Sequence, residues 1–287
     1  MNARIARPLL IDGHTELIAH LGWPTHSFKA PMIYNPWFEK AGVNAIVVPM
    51  GCKPDDYPSF LPQIFKLSNL RGALITMPHK VVTIGLLDEV LPNAVIAGAC
   101  NAVRRLPDGR LQGDMFDGEG FVRGVLRKGL KLQGASALVV GCGGVGCAIA
   151  ASLAAAGVAK LGLFDVNTDS ANGLKDRLCQ HYPALQVTTG SNDPADYDLV
   201  VNATPLGMNV GEPMPMDVAR IASTTFVGEV VMKTEMTAFL TAAAERGCRV
   251  QIGVDMLFEQ IPAYLEFFGM PSTTPEELRA LSNLKYV

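Results

Sequence analysis

From Leu132 to Ala159 the chain carries no charged residue, yet it holds six glycines. A stretch of that length is enough to cross a bilayer. Its glycines are clustered, however, and four of them fall in Gly141-Cys142-Gly143-Gly144-Val145-Gly146. Ahead of the cluster, Ser136–Val140 reads as a buried strand, and behind it the sequence through Ala156 reads as a helix. The segment is therefore strand, turn and helix rather than a membrane span. It fits G-x-G-x-x-G, in which the first glycine permits a tight turn, the second lets the backbone approach a pyrophosphate, and the third lets helix pack on strand. The helix would direct its N-terminal N–H groups and its dipole at the phosphates.

The following strand, Leu161–Phe164, ends at Asp165. A carboxylate there accepts hydrogen bonds from an adenosine ribose 2′-OH and repels a 2′-phosphate. Val166, Asn167, Thr168 and Asp169 bring no Arg or Lys to hold such a phosphate. The expected cofactor is NAD rather than NADP. The competing readings are a methyltransferase-type loop for S-adenosylmethionine and a plain glycine turn beside a solvated Asp.

The rest of the chain alternates strand and helix. Ala45–Pro49, Gly72–Met77, Leu199–Val201 and Phe226–Gly228 read as strands, and Phe60–Leu67, Val81–Leu91 and Glu119–Gly129 as helices. Ala102–Arg105 and Arg110–Gln112 read as hairpin arms around Pro107-Asp108-Gly109. Near the end, Thr274-Pro275-Glu276-Glu277 reads as a helix start with a capping box. Strands alternating with helices indicate βαβ units and a parallel sheet. The composition agrees: 49% of residues are apolar, 28 more are glycine, and only 18% are charged. An ordinary chain is about 25% charged. This balance excludes intrinsic disorder, and a net charge of −3 argues against a nucleic-acid binder. None of the six cysteines forms a C-x-x-C pair and no His/Cys cluster has zinc spacing, so reduced thiols and no metal are expected. The N-terminus lacks the apolar run of a signal peptide. A cytoplasmic protein is expected, as a monomer or homodimer, with a small-molecule substrate and neither nucleic acid nor membrane as partner.

Thr76-Met77-Pro78-His79-Lys80 closes a strand and enters a helix, which places Lys80 where open α/β sheets bind ligands. Gly98-Ala99-Cys100-Asn101-Ala102 and Gly113-Asp114-Met115-Phe116-Asp117-Gly118 follow. With Val201-Asn202-Ala203-Thr204-Pro205-Leu206-Gly207-Met208 and Gly253-Val254-Asp255-Met256-Leu257-Phe258-Glu259-Gln260, these segments resemble, in order, motifs of the shikimate/quinate dehydrogenase family. The resemblance spans roughly residues 22 to 268. It implies two α/β domains: a substrate domain over residues 1–116 with 253–287, and a Rossmann-type doubly wound dinucleotide-binding domain over 117–252. It implies Lys80 and Asp117 as the catalytic pair, and Thr76, Asn101 and Gln260 as substrate-binding residues. Asn202, Thr204 and Gly253 would line the nicotinamide half of the cofactor site, with Gly141, Gly143, Gly144, Val145, Gly146 and Asp165 on the phosphates and ribose. A Lys paired with a carboxylate suits removal of a hydroxyl proton as hydride departs, and amides that donate and accept suit a polyol.

The departures gather on the substrate carboxylate. In Gly22-Trp23-Pro24-Thr25-His26-Ser27-Phe28-Lys29-Ala30-Pro31, Phe28 and Ala30 stand where the family has two carboxylate-binding serines. Ser27 would serve if the loop bulges, and Lys29 or His26 are further anion-binding options. Leu74 replaces a family Asn, Met232 a Tyr, and Met115 and Phe116 an Asn and a Thr. The expected activity is an NAD-dependent dehydrogenase of a shikimate- or quinate-like cyclic hydroxy acid, with an altered carboxylate site. The alternatives are a true shikimate or quinate dehydrogenase and a non-catalytic NAD-binding sensor.

Overall fold

The computed structural model describes residues 11–26, 28–209 and 211–284. Two compact units emerge. One comprises the described chain up to Val95, Ala99–Asp114, and the chain from Ile261 on. The other comprises Ile96–Gly98 and Met115–Gln260.

The first unit opens with β1 (Glu16–Gly22), α1 (Pro31–Ala41), β2 (Ala45–Gly51), α2 (Tyr57–Ile64) and β3 (Leu70–Ile75). The strands are parallel, with β1 between β2 and β3. The apolar run of β1 after its polar start is buried, as expected of a strand covered on both faces. Pro31 sits in the first turn of α1, where its missing N–H costs nothing, and Ile33, Tyr34, Trp37 and Phe38 form the buried side. Then follow α3 (Lys80–Thr83), β4 (Glu89–Val90), α4 (Pro92–Ala97), β5 (Ala102–Arg105) and β6 (Leu111–Asp114). The sheet order is β2-β1-β3-β5-β6-β4, and the β5–β6 hairpin turns through Gly109 as expected.

The sequence reading of one helix over Val81–Leu91 fails. Helix α3 ends at Thr83, a short 3-10 turn covers Ile84–Leu86, and Glu89–Val90 pairs with β6. The β-branched run Val81-Val82-Thr83-Ile84 and Gly85 carries little helix propensity. The short edge strand takes the backbone hydrogen bonds instead. Helix α2 also starts three residues earlier than Phe60, at Tyr57.

The second unit contains α5 (Asp117–Arg127), β7 (Ser136–Val140), α6 (Gly144–Ala155), β8 (Lys160–Phe164), α7 (Thr168–His181), β9 (Gln186–Thr189), β10 (Leu199–Asn202), β11 (Phe226–Glu229), α8 (Ala238–Glu245) and β12 (Arg249–Gln251). Its strands run in the order β12-β11-β10-β7-β8-β9, all parallel. This is the Rossmann-type doubly wound topology, and its direction reverses between β7 and β10. Ligands bind at such a switch point, outside the carboxyl ends of the strands. The uncharged stretch is now explained. Helix α6 is buried from Gly146 to Ala154, so it has little solvent-facing side for charge to occupy.

Helix α9 (Gly253–Phe267) begins in the second unit, and its residues from Ile261 belong to the first, as does α10 (Pro275–Leu281). Within the first unit, Arg71 donates to the carbonyls of Phe268 and Gly269, and Arg104 to that of Phe267. Thr274 caps α10 by accepting from the Glu277 N–H. Among the described residues, the Glu277 carboxylate takes the Thr273 hydroxyl at 2.6 Å rather than the Thr274 N–H that would complete the expected capping box. Among the described residues, no helix is long and apolar enough to cross a membrane.

Candidate active site

At the switch point, Gly141 has φ +101°, a conformation that side chains strain to adopt. A Cβ on Gly141 would meet the Ala203 carbonyl carbon at 2.7 Å, and one on Gly146 would lie 1.8 Å from the Gly141 oxygen. These two glycines let the loop fold onto itself and onto the end of β10. Gly143 and Gly144 differ, since a Cβ on either meets nothing within 4 Å. They face open space at the start of a twelve-residue helix, whose first N–H groups have no intrahelical partner. An open concavity rimmed by such N–H groups fits a pyrophosphate. Val145 is the second residue of that first turn.

Asp165 stands at the end of β8, beside this loop. Its Oδ2 accepts from the Cys142 N–H at 2.6 Å and its Oδ1 from the Asn167 N–H at 2.8 Å. The next residue, Val166, is 93% exposed. Asn167 caps α7 by accepting from the N–H groups of Asp169 and Ser170. Asn202 is buried at the end of β10, where its Oδ1 accepts from the Thr204 hydroxyl at 2.6 Å and from the Thr204 N–H at 3.1 Å. Its Nδ2 donates to the Leu206 carbonyl. The Asn202 amide thus shapes the turn that presents Thr204. Gly253 begins α9, and a Cβ there would meet the Val231 oxygen at 2.1 Å, so the backbone packs too closely at this point for a side chain.

Beside Asn202, Glu229 ends β11, fully buried. Its Oε2 accepts from Thr237 at 2.9 Å, and its Oε1 has no partner among the described residues. Burial pushes its carboxyl up to about 7, against the lowering effect of hydrogen bonds from Thr237 and Asn202. Asp117 is buried in the first turn of α5. A Cβ on Gly120, one turn later, would lie 2.6 Å from the Cβ of Gln260, so α9 brings Gln260 against that turn. The Gln260 Oε1 is buried without a partner among the described residues.

In the first unit, Lys80 opens α3, and its carbonyl accepts from the Cys100 N–H at 2.8 Å. The turn is braced from below. The His79 ring stacks on Tyr57 at 3.9 Å, and its Nε2 lies 2.9 Å from the Cys52 carbonyl. The Tyr57 hydroxyl lies 2.7 Å from that of Thr83, which donates to the His79 carbonyl. Asn101 is buried, with its backbone bonded to both Ile75 and Asp114. Asp114, a motif residue given no role from sequence, accepts from the Ala94 N–H near the start of α4. Thr76 lies half-buried just beyond β3. A Cβ on Gly22 would meet the Thr76 methyl at 2.5 Å and the Phe28 ring at 2.8 Å, so both side chains crowd that point. Phe28 therefore packs over Gly22 beside Thr76, and Ala30 and Leu74 are buried. Ser27 lies outside the described residues.

The sequence reading missed His20. It sits on β1 opposite Leu74 of β3, with its ring 4.2 Å from that of Phe28. A single His within an apolar strand has no periodic signature, and only the strand register reveals its neighbours.

Residues 21–103 match the model of the shikimate dehydrogenase substrate binding domain. The shikimate dehydrogenase (NADP(+)) of Acidiphilium cryptum is 32% identical over 272 residues, covering 94% of this chain and 96% of that protein. The chain belongs to the shikimate dehydrogenase family. Residues 123–179 also match the ThiF family, over a segment that contains the glycine loop. The crystal structure of shikimate 5-dehydrogenase from Listeria monocytogenes in complex with shikimate and NAD is 26% identical with a TM-score of 0.86, covering 94% of this chain and 97% of that one. Quinate dehydrogenase from Corynebacterium glutamicum in complex with NAD is 28% identical with a TM-score of 0.82, covering 93% and 98%.

Proposed function

We propose that this protein is an NAD-dependent dehydrogenase that acts on a secondary alcohol of a cyclic compound related to shikimate or quinate, through a substrate site altered at its carboxylate end. The observation that carries the reading is the retention of Lys80 and Asp117 in a chain similar to shikimate dehydrogenases over nearly its whole length. In this reading residues 1–116 and 253–287 form the substrate domain, and residues 117–252 form the dinucleotide domain. Gly141, Gly143, Gly144, Val145 and Gly146 hold the pyrophosphate, Asp165 the ribose, and Thr204 the nicotinamide side. The bound dinucleotide supplies the two-electron acceptor. Lys80 and Asp117 hold the reacting hydroxyl and take its proton. Thr76, Asn101 and Gln260 orient the ring hydroxyls.

NAD is preferred on the strength of Asp165 and the uncharged, exposed Val166, although the curated relatives include enzymes named for NADP(+). The altered carboxylate site is supported by Phe28, Ala30 and Leu74. The test is cofactor reduction against cyclic hydroxy acids with NAD and NADP. Activity with NAD that disappears in Lys80→Ala, with NAD binding retained, is the expected result. No turnover on any substrate would favour a sensor that binds NAD without catalysis.

A further inference from the structure

The first unit buries an imidazole that its own chain does not satisfy. His20 is 8% exposed, and its Nδ1 is fully covered with no hydrogen-bond partner among the described residues. Leaving a buried polar group unpaired costs about 1–3 kcal/mol, so such a group calls for an explanation. Its position offers one. His20 lies two residues from the carboxyl end of β1, on the same strand face as Gly22 and beside Leu74 of β3. Thr76 and Phe28 converge over Gly22 on that face. The imidazole therefore stands beside residues that the dehydrogenase reading places on the substrate side, near the end of parallel strands where α/β sheets take ligands.

The ring is held neutral. Burial, and then the Lys80 ammonium nearby, hold it down to about 4. Its close neighbours Phe28 and Leu74 add no charge. A ligand carboxylate, which only accepts, can use the neutral ring only through its one N–H and needs a counter-charge that the ring does not supply. A hydroxyl has no such requirement, because it donates to or accepts from either tautomer. Rotation about χ2 exchanges the nitrogen and carbon edges of the ring within its own plane, so the contact with Phe28 survives whichever edge meets the ligand.

We propose that His20 is a specificity-determining residue that hydrogen-bonds an uncharged hydroxyl or ester oxygen of a cyclic polyol ligand, and so selects against a carboxylate at that end. The proposal rests on the dehydrogenase reading for its kinetic test but not for its binding test. The probes are shikimate, its uncharged methyl ester, and myo-inositol, with wild type, His20→Ala and His20→Gln. Wild type should use at least one neutral probe with kcat/KM about tenfold or more above that for shikimate. His20→Ala should raise KM for that probe roughly tenfold with kcat nearly unchanged, and His20→Gln should recover most of the loss. NADH affinity, followed by the fluorescence of the reduced nicotinamide, should stay constant, and an unchanged melting temperature shows that the variants are folded. A preference of wild type for shikimate overturns the proposal, and so does an equal effect of His20→Ala on charged and neutral probes. If wild type turns over nothing, the dehydrogenase reading fails separately. Calorimetry then decides on His20: a neutral probe that binds wild type and binds His20→Ala about tenfold more weakly sustains the proposal. Equal affinity, or no binding, ends it.

Discussion

The Asp165 carboxylate accepts a 2.6 Å hydrogen bond from the Cys142 N–H, which ties the end of β8 to the glycine loop. One side chain thus fixes the loop and places negative charge beside it. The two functions are separable by substitution. Asp165→Asn keeps an acceptor for the Cys142 N–H and removes the charge that opposes a 2′-phosphate. The NAD-over-NADP preference should fall by about tenfold or more, with little change in melting temperature. Kinetics with both cofactors test this. An NADP preference in the wild type would refute the role given to Asp165.

The glycines of the loop should divide into two classes. Gly146→Ala places a methyl 1.8 Å from the Gly141 oxygen, so the backbone must shift and stability should fall by roughly 2 kcal/mol or more. Gly143→Ala meets only open space, so the fold should persist. The added methyl would occupy the side from which a pyrophosphate approaches, and NAD affinity should drop about tenfold. Thermal melting together with NAD titration separates the two. Equal destabilisation by both variants would mean that the open space at Gly143 is not a ligand cradle.

How much of this was legible beforehand depends on the range of the signal. The glycine loop, its strand and Asp165 lie within about thirty residues, and local pattern found them all. The β5–β6 hairpin was likewise readable from Pro107-Asp108-Gly109. The false helix at Val81–Leu91 arose where a short apolar run is ambiguous by periodicity, and an edge strand won by pairing with residues twenty-odd positions away. His20 and Glu229 owe their character to burial and to neighbours on other strands. Their types and spacings announce nothing.

Lys80 and Asp117 come from separate stretches of the chain and should fail in a common way. Lys80→Ala and Asp117→Asn should each lower kcat by about 10²- to 10⁴-fold while NAD binding stays within about threefold. The double variant should be little worse than the worse single one, because residues acting as a unit are not additive. Steady-state kinetics on the three variants check this. Full additivity would show that the two groups act independently.

The buried Glu229 should leave a mark on stability against pH. Its folded carboxyl titrates at about 7, raised chiefly by burial from an ordinary 4.5. Between those values the folded state binds more protons than the unfolded one, so stability falls as pH rises. The favourable contribution is complete below about 4.5 and is lost as pH climbs through 7. A displacement of this size corresponds to roughly 3 kcal/mol once ionisation is complete. Glu229→Gln keeps an acceptor for the Thr237 hydroxyl and cannot ionise. Melting temperatures of both proteins from pH 5 to pH 8 should therefore diverge, with the variant gaining on the wild type as pH rises. Taking the difference between the two curves cancels the other titrating groups, including His20. Parallel curves would mean that Glu229 ionises in the fold as readily as in water, which its burial and unpaired Oε1 argue against.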